Sequence, residues 1–167
     1  MNFRTIIAKV ILVTAIALAA CQSAPKTNLE RVDALKKQVK TNVQTLETLE
    51  TKDLMHLQKD FMVCDSILQF MPSEKVDETF QQLLLVDAYI KQFKETCPVM
   101  RADMDSTLIQ LDNLKSDIET HYLSDSLATV YLDMETQHVT LLNNQVEYFK
   151  DRLGSCNKTM KDFKKKK

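Results

Sequence analysis

Two short segments of this 167-residue chain carry acidic and imidazole side chains at a spacing used by metal-binding helical bundles. Glu135 stands three residues before His138, and Asp53 stands three residues before His56. Residues three apart on a helix project from the same side, so a carboxylate and an imidazole at this spacing can hold one metal ion. Metal binding is therefore one hypothesis, and a solvated helix face is the simpler interpretation of both segments.

A third chemically distinct residue is Cys21, which ends the segment LAAC at positions 18–21. Arg4 and Lys9 precede an apolar run that is too short to span a membrane and is typical of a secretion signal. An apolar residue, two small residues and a cysteine resemble the bacterial lipobox, which implies cleavage before Cys21 and attachment of lipid to it. Gln22, in place of aspartate, favours the outer membrane in the sorting rule of such lipoproteins. We expect a lipid-anchored protein of the cell envelope, facing the periplasm or the cell surface.

The signal peptide, residues 1–20, contains two basic and no acidic residues, so its removal changes the formal net charge from −1 to −3. The remainder is 167 minus 20 residues, or 147, which is enough for one domain with a substantial core. We expect a tether at residues 21–27, a helical bundle domain at residues 28–164 and a basic tail at residues 165–167.

Three cysteines besides Cys21 would lie in an oxidising compartment, where disulfides persist. They are Cys64, Cys97 and Cys156, and an odd number allows at most one internal bridge. If three helices pack side by side, Cys64 and Cys156 come to the same level on apolar stripes. A Cys64–Cys156 disulfide is one expectation, and three small buried side chains are the other.

The composition indicates which elements position these residues. One glycine and three prolines leave few residues for turns, and the abundance of Leu, Gln, Lys, Glu and Asp favours long helices over sheets. Apolar residues recur at steps of three and four, the heptad pattern of helices that pack side by side. The sequence contains no recognisable glycine-rich phosphate loop or Ser/His/Asp set, so we expect a non-enzymatic protein without a cofactor or a nucleic-acid partner.

The first predicted helix begins at Thr27 or Asn28, since either is a competent N-cap. Its apolar stripe slips by one residue between positions 50 and 54, which predicts a local discontinuity. The segment MPSEK, residues 71–75, ends this helix. The segment HYLSDS, residues 121–126, separates the second helix from the last.

Pro98 lies inside the predicted middle helix, which either continues through it or splits there. The apolar stripe keeps its steps of three and four from Leu83 to His121 without a change of phase at the proline. An interior proline costs about 3 kcal/mol and disfavours helix at the preceding residue. We predict one continuous helix with a kink at Pro98, and the alternative is a split that gives a four-helix bundle with a two-helix stalk.

The last helix is expected to follow Ser124 as its N-cap. Its apolar stripe opens with Leu127, Val130 and Met134 and then continues without a break from Val139 to Phe163.

The charge distribution favours three helices over four. Residues 26–40 carry five basic and two acidic residues, residues 150–167 carry eight and two, and residues 41–149 carry seven and nineteen. A four-helix fold would place the two basic ends side by side, where like charges repel. An up-down-up three-helix bundle instead sets the basic C-terminal end against Asp60 and its acidic neighbours. In this arrangement the two candidate metal-binding pairs, Asp53 with His56 and Glu135 with His138, are offset by roughly eight to ten residues along the bundle.

The chain ends in a cluster of four lysines, Lys164, Lys165, Lys166 and Lys167. Such a cluster can contact an anionic surface through its charge density, and a solvated tail is the alternative. The lipobox with Cys21, the heptad stripes and the terminal Lys167 together resemble the murein lipoprotein, which joins the outer membrane to the cell wall. This chain departs from that family, which uses one short helix per chain in a trimer, because it folds back on itself and ends in lysines only. Because of these departures we do not expect the covalent attachment of that family. The lysine cluster, at the end of the bundle far from the lipid, would instead contact the cell wall or another anionic polymer non-covalently.

Taken together, these features predict a helical spacer, adaptor or protein-binding module that is tethered to a membrane by lipid. Its partners would be that membrane and an envelope protein or an anionic cell-wall polymer, with metal binding as the other alternative. The sequence leaves the oligomeric state open.

Overall fold

A computed structural model describes residues 27–68, 70 and 73–165, without the side chains of residues 73–79. Within these residues the chain is helical and contains no strand. The elements are α1 (Asn28–Thr48), a π-helical segment (Leu49–Leu54), α2 (Met55–Leu68), α3 (Ser73–Glu119) and α4 (Asp125–Lys165). The first three follow one another without a break and form one rod, called here the first rod, which packs against both α3 and α4. The prediction of three helices packed in a bundle is confirmed.

Several predicted features fall outside this part of the chain. The signal peptide, the lipobox with Cys21, residues 21–26 of the tether, and Lys166 and Lys167 lie outside the described residues. None of the described helices is both long and apolar enough to cross a membrane.

Local hydrogen bonds explain where the helices begin. The Thr27 hydroxyl accepts from the Glu30 N–H at 3.2 Å, and the Glu30 carboxylate accepts from the Thr27 N–H at 2.8 Å. This reciprocal pair is a capping box, so Thr27 is the N-cap of α1. At α4 the Ser124 hydroxyl accepts from the Leu127 N–H at 3.4 Å, and Asp125 places a negative charge in the first turn.

The turn from α3 to α4 is fixed by a Schellman motif. His121 adopts a positive φ of 55° just beyond the end of α3. Its N–H donates to the carbonyl of Ile118 at 3.2 Å, and the N–H of Tyr122 donates to the carbonyl of Asp117 at 2.9 Å. These bonds satisfy carbonyls at the end of α3 and end the helix there.

Helix α3 runs through Pro98 without interruption. The prediction of a continuous middle helix is confirmed, and the alternative split at Pro98 is wrong. Pro98 is exposed, so its ring points away from the core. The predicted stripe residues from Leu83 to Leu114 are all buried, among them Thr107. The packing of this long stripe outweighs the one helical hydrogen bond that proline cannot make.

The π-helical segment lies where the sequence predicted a slip in the stripe. A π turn holds one more residue than an α turn, because each N–H donates to the carbonyl five residues before it. Leu49 and Leu54 are five residues apart and both are buried. The segment therefore absorbs the extra residue and keeps the apolar stripes of α1 and α2 directed into the same core.

Aromatic side chains fill the core between α3 and α4. The rings of Phe93 and Phe149 meet edge to face with centroids 5.1 Å apart, a favourable aromatic geometry. The buried Tyr89 hydroxyl donates to the carbonyl of Phe149 at 2.7 Å. This bond satisfies the hydroxyl and joins the two helices at this level.

The predicted start of the α4 stripe is wrong. Leu127, Val130 and Met134 are 42%, 54% and 60% exposed, whereas Ala128 and Leu132 are buried. The reason is the phase of the longer stripe, because Leu132 stands one heptad before the buried Val139. The core follows this continuous phase, and Leu127, Val130 and Met134 remain on the surface.

Candidate functional site

The structure places the two predicted metal-binding pairs in different parts of the bundle. The His138 Nε2 lies 3.3 Å from the Asp103 carboxylate on α3. The His56 Nδ1 lies 3.7 Å from the Asp60 carboxylate one turn away in α2, and Asp60 also pairs with Lys164 near the end of α4. Lys164 stands 26 residues after His138, which is about 39 Å along α4.

This separation exceeds the expected offset of eight to ten residues. The contact of Asn28 with Asp125 at one end of the bundle and of Asp60 with Lys164 near the other sets the register between the first rod and α4. Asp53 and Glu135 are far apart for the same reason. Among the described side chains, no group of three or more His, Cys, Asp or Glu residues is arranged to hold a metal ion.

The register also separates the two cysteines expected to pair. Cys64 is buried close to Lys164, and Cys156 lies eight residues before Lys164, or about 12 Å along α4. A disulfide requires Cα atoms within about 7 Å. Cys64, Cys97 and Cys156 are free thiols, so the expected Cys64–Cys156 bridge is not formed.

None of these thiols is activated as a nucleophile. Burial raises the pKa of Cys64 and of Cys156, and it raises the pKa of Cys97 to about 11, with a further contribution from the neighbouring Glu50 carboxylate. The thiolate is the reactive form of cysteine. Arg101 lies beside Cys97 but pairs with Glu50 at 2.7 Å, so this charged pair at the π-helical segment stabilises packing and does not ionise the thiol.

A groove of about 260 Å³ lies between the first half of α3 and the last part of α4. We call it the distal groove. Its lining includes Leu85 and Tyr89 from α3 and Arg152, Ser155 and Cys156 from α4. Burial raises the pKa of the Tyr89 hydroxyl. This groove combines an apolar floor with hydroxyl groups and one cation, a composition suited to binding and not to acid–base chemistry.

A second groove, of about 330 Å³, lies between the end of α3 and the start of α4. We call it the proximal groove. Tyr122, Tyr131, Asp117 and Glu135 are among its lining residues. Burial raises the pKa of the Glu135 carboxyl, an effect opposed by the nearby His138. The buried Oε2 of Glu135 has no hydrogen-bond partner among the described groups. Glu135 is thus a residue of this groove, next to aromatic rings, and not a partner of Asp53.

The lysine cluster is partly bound to the bundle. Lys164 pairs with Asp60, an acidic residue that the charge distribution placed near the C-terminal end. Lys165 is exposed at the end of α4. Lys164 is therefore held in an ion pair within the bundle, and Lys165 leaves its charge at the surface.

No family model matches the chain, and no curated protein or solved structure matches it either. The described residues define a long three-rod bundle with grooves along α3 and α4. The sequence did not predict these grooves, and it placed Leu127, Val130 and Met134 in the core although all three are exposed. A signal was present, since α4 contains two apolar stripes in different phases and one bundle core can bury only one of them.

Proposed function

We propose that the protein is a lipid-anchored, non-enzymatic spacer or adaptor of the cell envelope. Three helices run up-down-up, and the middle helix bends at Pro98. The observation that carries this proposal is the distribution of interhelical contacts, which extend from one end of the rods to the other. A protein built in this way holds its two ends at a fixed distance.

The order of the ion pairs supports the up-down-up arrangement. Pairs between the first rod and α3 occur in opposite order along the two elements, and pairs between the first rod and α4 occur in the same order. They are Asp33–Lys115, Lys36–Asp112 and Glu50–Arg101 with α3, and Arg31–Asp133 and Asp60–Lys164 with α4. Opposite order corresponds to antiparallel helices, and the same order corresponds to parallel helices.

The bend at Pro98 rests on the chemistry of proline within a helix. Proline has no N–H to donate to the carbonyl of Lys94, and its ring crowds that carbonyl. Sharp bends in long helices occur mostly at such positions. Pro98 is on the exposed side of α3, so α3 would bend toward the core and follow the other two rods.

The spacing of the two chain ends supports the role as a spacer. The Asn28 side chain donates to the carbonyl of Asp125 at the start of α4. Lys164 stands 39 residues after Asp125, which is about 58 Å along the helix. Cys21 precedes Asn28 by only seven residues. The lipid at Cys21 and the lysine cluster would therefore lie at opposite ends of the bundle.

Metabolic labelling with a fatty-acid probe tests the anchor. We expect label on the wild-type protein and its recovery in the membrane fraction, because lipid at Cys21 provides the attachment. The Cys21→Ala variant should lose both. Equal labelling of the two forms would contradict the proposal.

Metal analysis of protein purified without chelator or affinity tag separates this function from metal binding. A spacer or adaptor should contain no stoichiometric metal. Stoichiometric metal that disappears in a His138→Ala variant would show that the bundle is a metal-binding protein instead.

Contact with the cell wall is a second candidate function, favoured by the position of the lysines at the end opposite the anchor. Purified protein should pellet with isolated cell-wall sacculi at low salt and be released as salt screens the charges. Replacement of residues 165–167 by glutamine should abolish pelleting, and replacement by arginine should preserve it. Pelleting that is unaffected by glutamine would mean that the tail is only solvated.

A further inference from the structure

The outer surface of the bundle along the contact of α3 with α4 is called here the α3–α4 seam. The distal groove lies toward one end of this seam and the proximal groove toward the other. Between them His138 on α4 reaches Asp103 on α3. The seam thus comprises two separate grooves with a side-chain contact between α3 and α4 in the stretch that separates them.

Apolar side chains follow the α4 side of the seam at intervals of seven residues. They are Leu127, Met134, Leu141 and Tyr148, which are 42%, 60%, 61% and 43% exposed. Ser155 continues the same spacing and lines the distal groove, so the row runs along the seam and not on the opposite side of α4. A row at this interval is the pattern with which one helix packs against another.

The α3 side repeats this arrangement less densely. Leu85 lines the distal groove and is 73% exposed, and Val99, two heptads later, is 67% exposed. Exposed apolar residues scattered singly are common on proteins. A row of four at heptad spacing along one helix face is different, because exposed apolar surface of this kind marks an interaction site.

The seam is acidic over most of its length, and Arg152 in the distal groove adds a cation at one end. Residues 122–149 contain no lysine or arginine. In α3, the basic residues between positions 95 and 117 are Arg101 and Lys115, and they pair with Glu50 and Asp33 on the first rod. From the proximal groove to Tyr148, the charged groups placed on the seam are therefore carboxylates, with His138 among them, and Arg152 lies beyond them beside Tyr148. Asp103 contacts His138 across the seam, and Asp117 and Glu135 line its proximal groove.

We propose that the α3–α4 seam binds an amphipathic helix of a partner protein, with apolar residues in heptad spacing and lysine or arginine beside them. The row from Leu127 to Tyr148 spans about 32 Å, the length of a helix of about 21 residues. Apolar side chains of the partner would cover the row, and its cations would face the carboxylates of the seam. The proposal rests on the adaptor part of the proposed function and names its binding surface and the chemistry of its partner.

A designed peptide provides the probe. It has 21 residues, leucine at the two apolar heptad positions, lysine beside them and a fluorescent label. We expect saturable binding to the full chain in non-ionic detergent micelles, measured by fluorescence anisotropy with empty micelles as the baseline. A peptide of the same composition in scrambled order should bind at least about tenfold more weakly, since it has no apolar face.

Paired substitutions locate the binding surface. Met134→Gln with Leu141→Gln should weaken binding at least about tenfold, because both residues are central in the row. Met55→Gln with Met62→Gln is the matched control, since these methionines are also exposed but lie on α2. All four positions are on the surface, and circular dichroism verifies that the fold is retained. Equal binding by the two variants would overturn the proposal.

Charge reversal tests the partner chemistry independently. Asp103→Lys with Asp117→Lys should weaken binding of the lysine peptide and strengthen binding of a version with glutamate in place of lysine, because both carboxylates lie on the seam. Glu47→Lys with Asp65→Lys changes the net charge equally on exposed positions of the first rod and should have neither effect. Preference of the wild type for the glutamate peptide, or self-association that covers the seam and blocks the peptide, would also overturn it.

The outcomes distinguish the inference from the function on which it rests. Loss of lipid labelling with intact peptide binding would refute the anchored spacer and leave the seam as a binding surface. Normal labelling and membrane recovery without peptide binding would refute the inference and leave the anchored spacer.

Discussion

Because the π-helical segment contains one extra residue, we expect the first rod to tolerate deletion of one residue within this segment but not within α1. Deletion of the exposed Lys52 shortens the step between Leu49 and Leu54 from five residues to four. An α-helix makes one turn in about 3.6 residues, so both leucines can still point into the core. We expect the variant to convert the segment into an ordinary α-helix with the same core.

Deletion of the exposed Lys37 is the matched control, because it removes a similar side chain from the ordinary helix α1. The stretch between this deletion and the π-helical segment then turns by about 100° relative to the residues before it. Val39 and Leu46, now 0% and 1% exposed, would leave the core if the start of α1 stays in place. Loss of a buried aliphatic side chain costs about 2–5 kcal/mol for leucine and somewhat less for valine.

These magnitudes separate the two deletions clearly. Deletion of Lys37 should lower the free energy of unfolding by several kcal/mol, which is a large part of the roughly 5–15 kcal/mol of a typical domain. Deletion of Lys52 disturbs chiefly the Glu50–Arg101 pair, whose side chains are 42% and 38% exposed. A pair this accessible to solvent contributes about 1 kcal/mol or less.

Urea unfolding followed by far-ultraviolet circular dichroism measures the difference. Deletion of Lys52 should leave the free energy of unfolding within about 1 kcal/mol of wild type with an unchanged m value. Deletion of Lys37 should lower it by several kcal/mol or prevent folding. Equal losses in both variants would refute the reasoning, since the π-helical segment would then not be a tolerated one-residue insertion.

Three further substitutions test individual contacts. Because burial raises the pKa of Glu135 in the folded state, its contribution to stability is complete below the ordinary pKa of glutamate and is lost as pH rises through the folded value. Glu135→Gln should therefore flatten the decline of the urea midpoint as pH rises above the ordinary pKa of glutamate, about 4.3, and a parallel decline in the two proteins would contradict this. Pro98→Ala restores a donor for the carbonyl of Lys94 and should stabilise the protein by up to about 3 kcal/mol in thermal unfolding; a lower melting temperature would show that packing depends on the proline. Tyr89→Phe removes the buried hydrogen bond to Phe149 and should cost about 1 kcal/mol by urea unfolding, whereas an unchanged midpoint would mean that this bond adds no net stability.

The parts of the fold that were predictable depend on spacing along one helix. The stripe from Leu83 to Leu114 specified a continuous α3 because many buried contacts outweigh one proline. The slip in the first rod was visible for the same reason, since a change of phase must be absorbed by the backbone. Its π-helical form was not predictable, because a one-residue slip can also be absorbed by a short loop or by local overwinding.

The axial register between helices was not predictable. The predicted proximity of residues on different helices was therefore wrong. A heptad stripe repeats every seven residues, so two stripes that slide past one another by a heptad still pack apolar side chains together. Particular contacts near the ends, such as Asn28 with Asp125, choose one register. Cys64 and Cys156 were expected at one level on the basis of the stripes alone, and these contacts separate them.

Asn42 illustrates a kind of contact that the stripes do not reveal. It is 4% exposed within α1, and its Nδ2 has no hydrogen-bond partner among the described residues. A buried amide in a heptad core costs stability but disfavours other registers, in which it would face purely apolar layers. Thr107, also buried, avoids this cost because its hydroxyl donates to the carbonyl of Asp103 in its own helix.

Helix α4 carries apolar residues on two sides. One side packs in the core, and the other was partly mistaken for core and is the proposed binding surface for a partner helix. The core phase of α4 is satisfied by small and aliphatic residues such as Ala128 and Leu132, so a three-rod bundle requires nothing apolar on the outer side. The outer side of α1 fits that expectation, because Lys37 and Lys40 are exposed there. The outer side of α4 instead carries a heptad row without a basic residue over six turns. Such a surface is costly to leave in water and is explained if the proposed partner helix covers it.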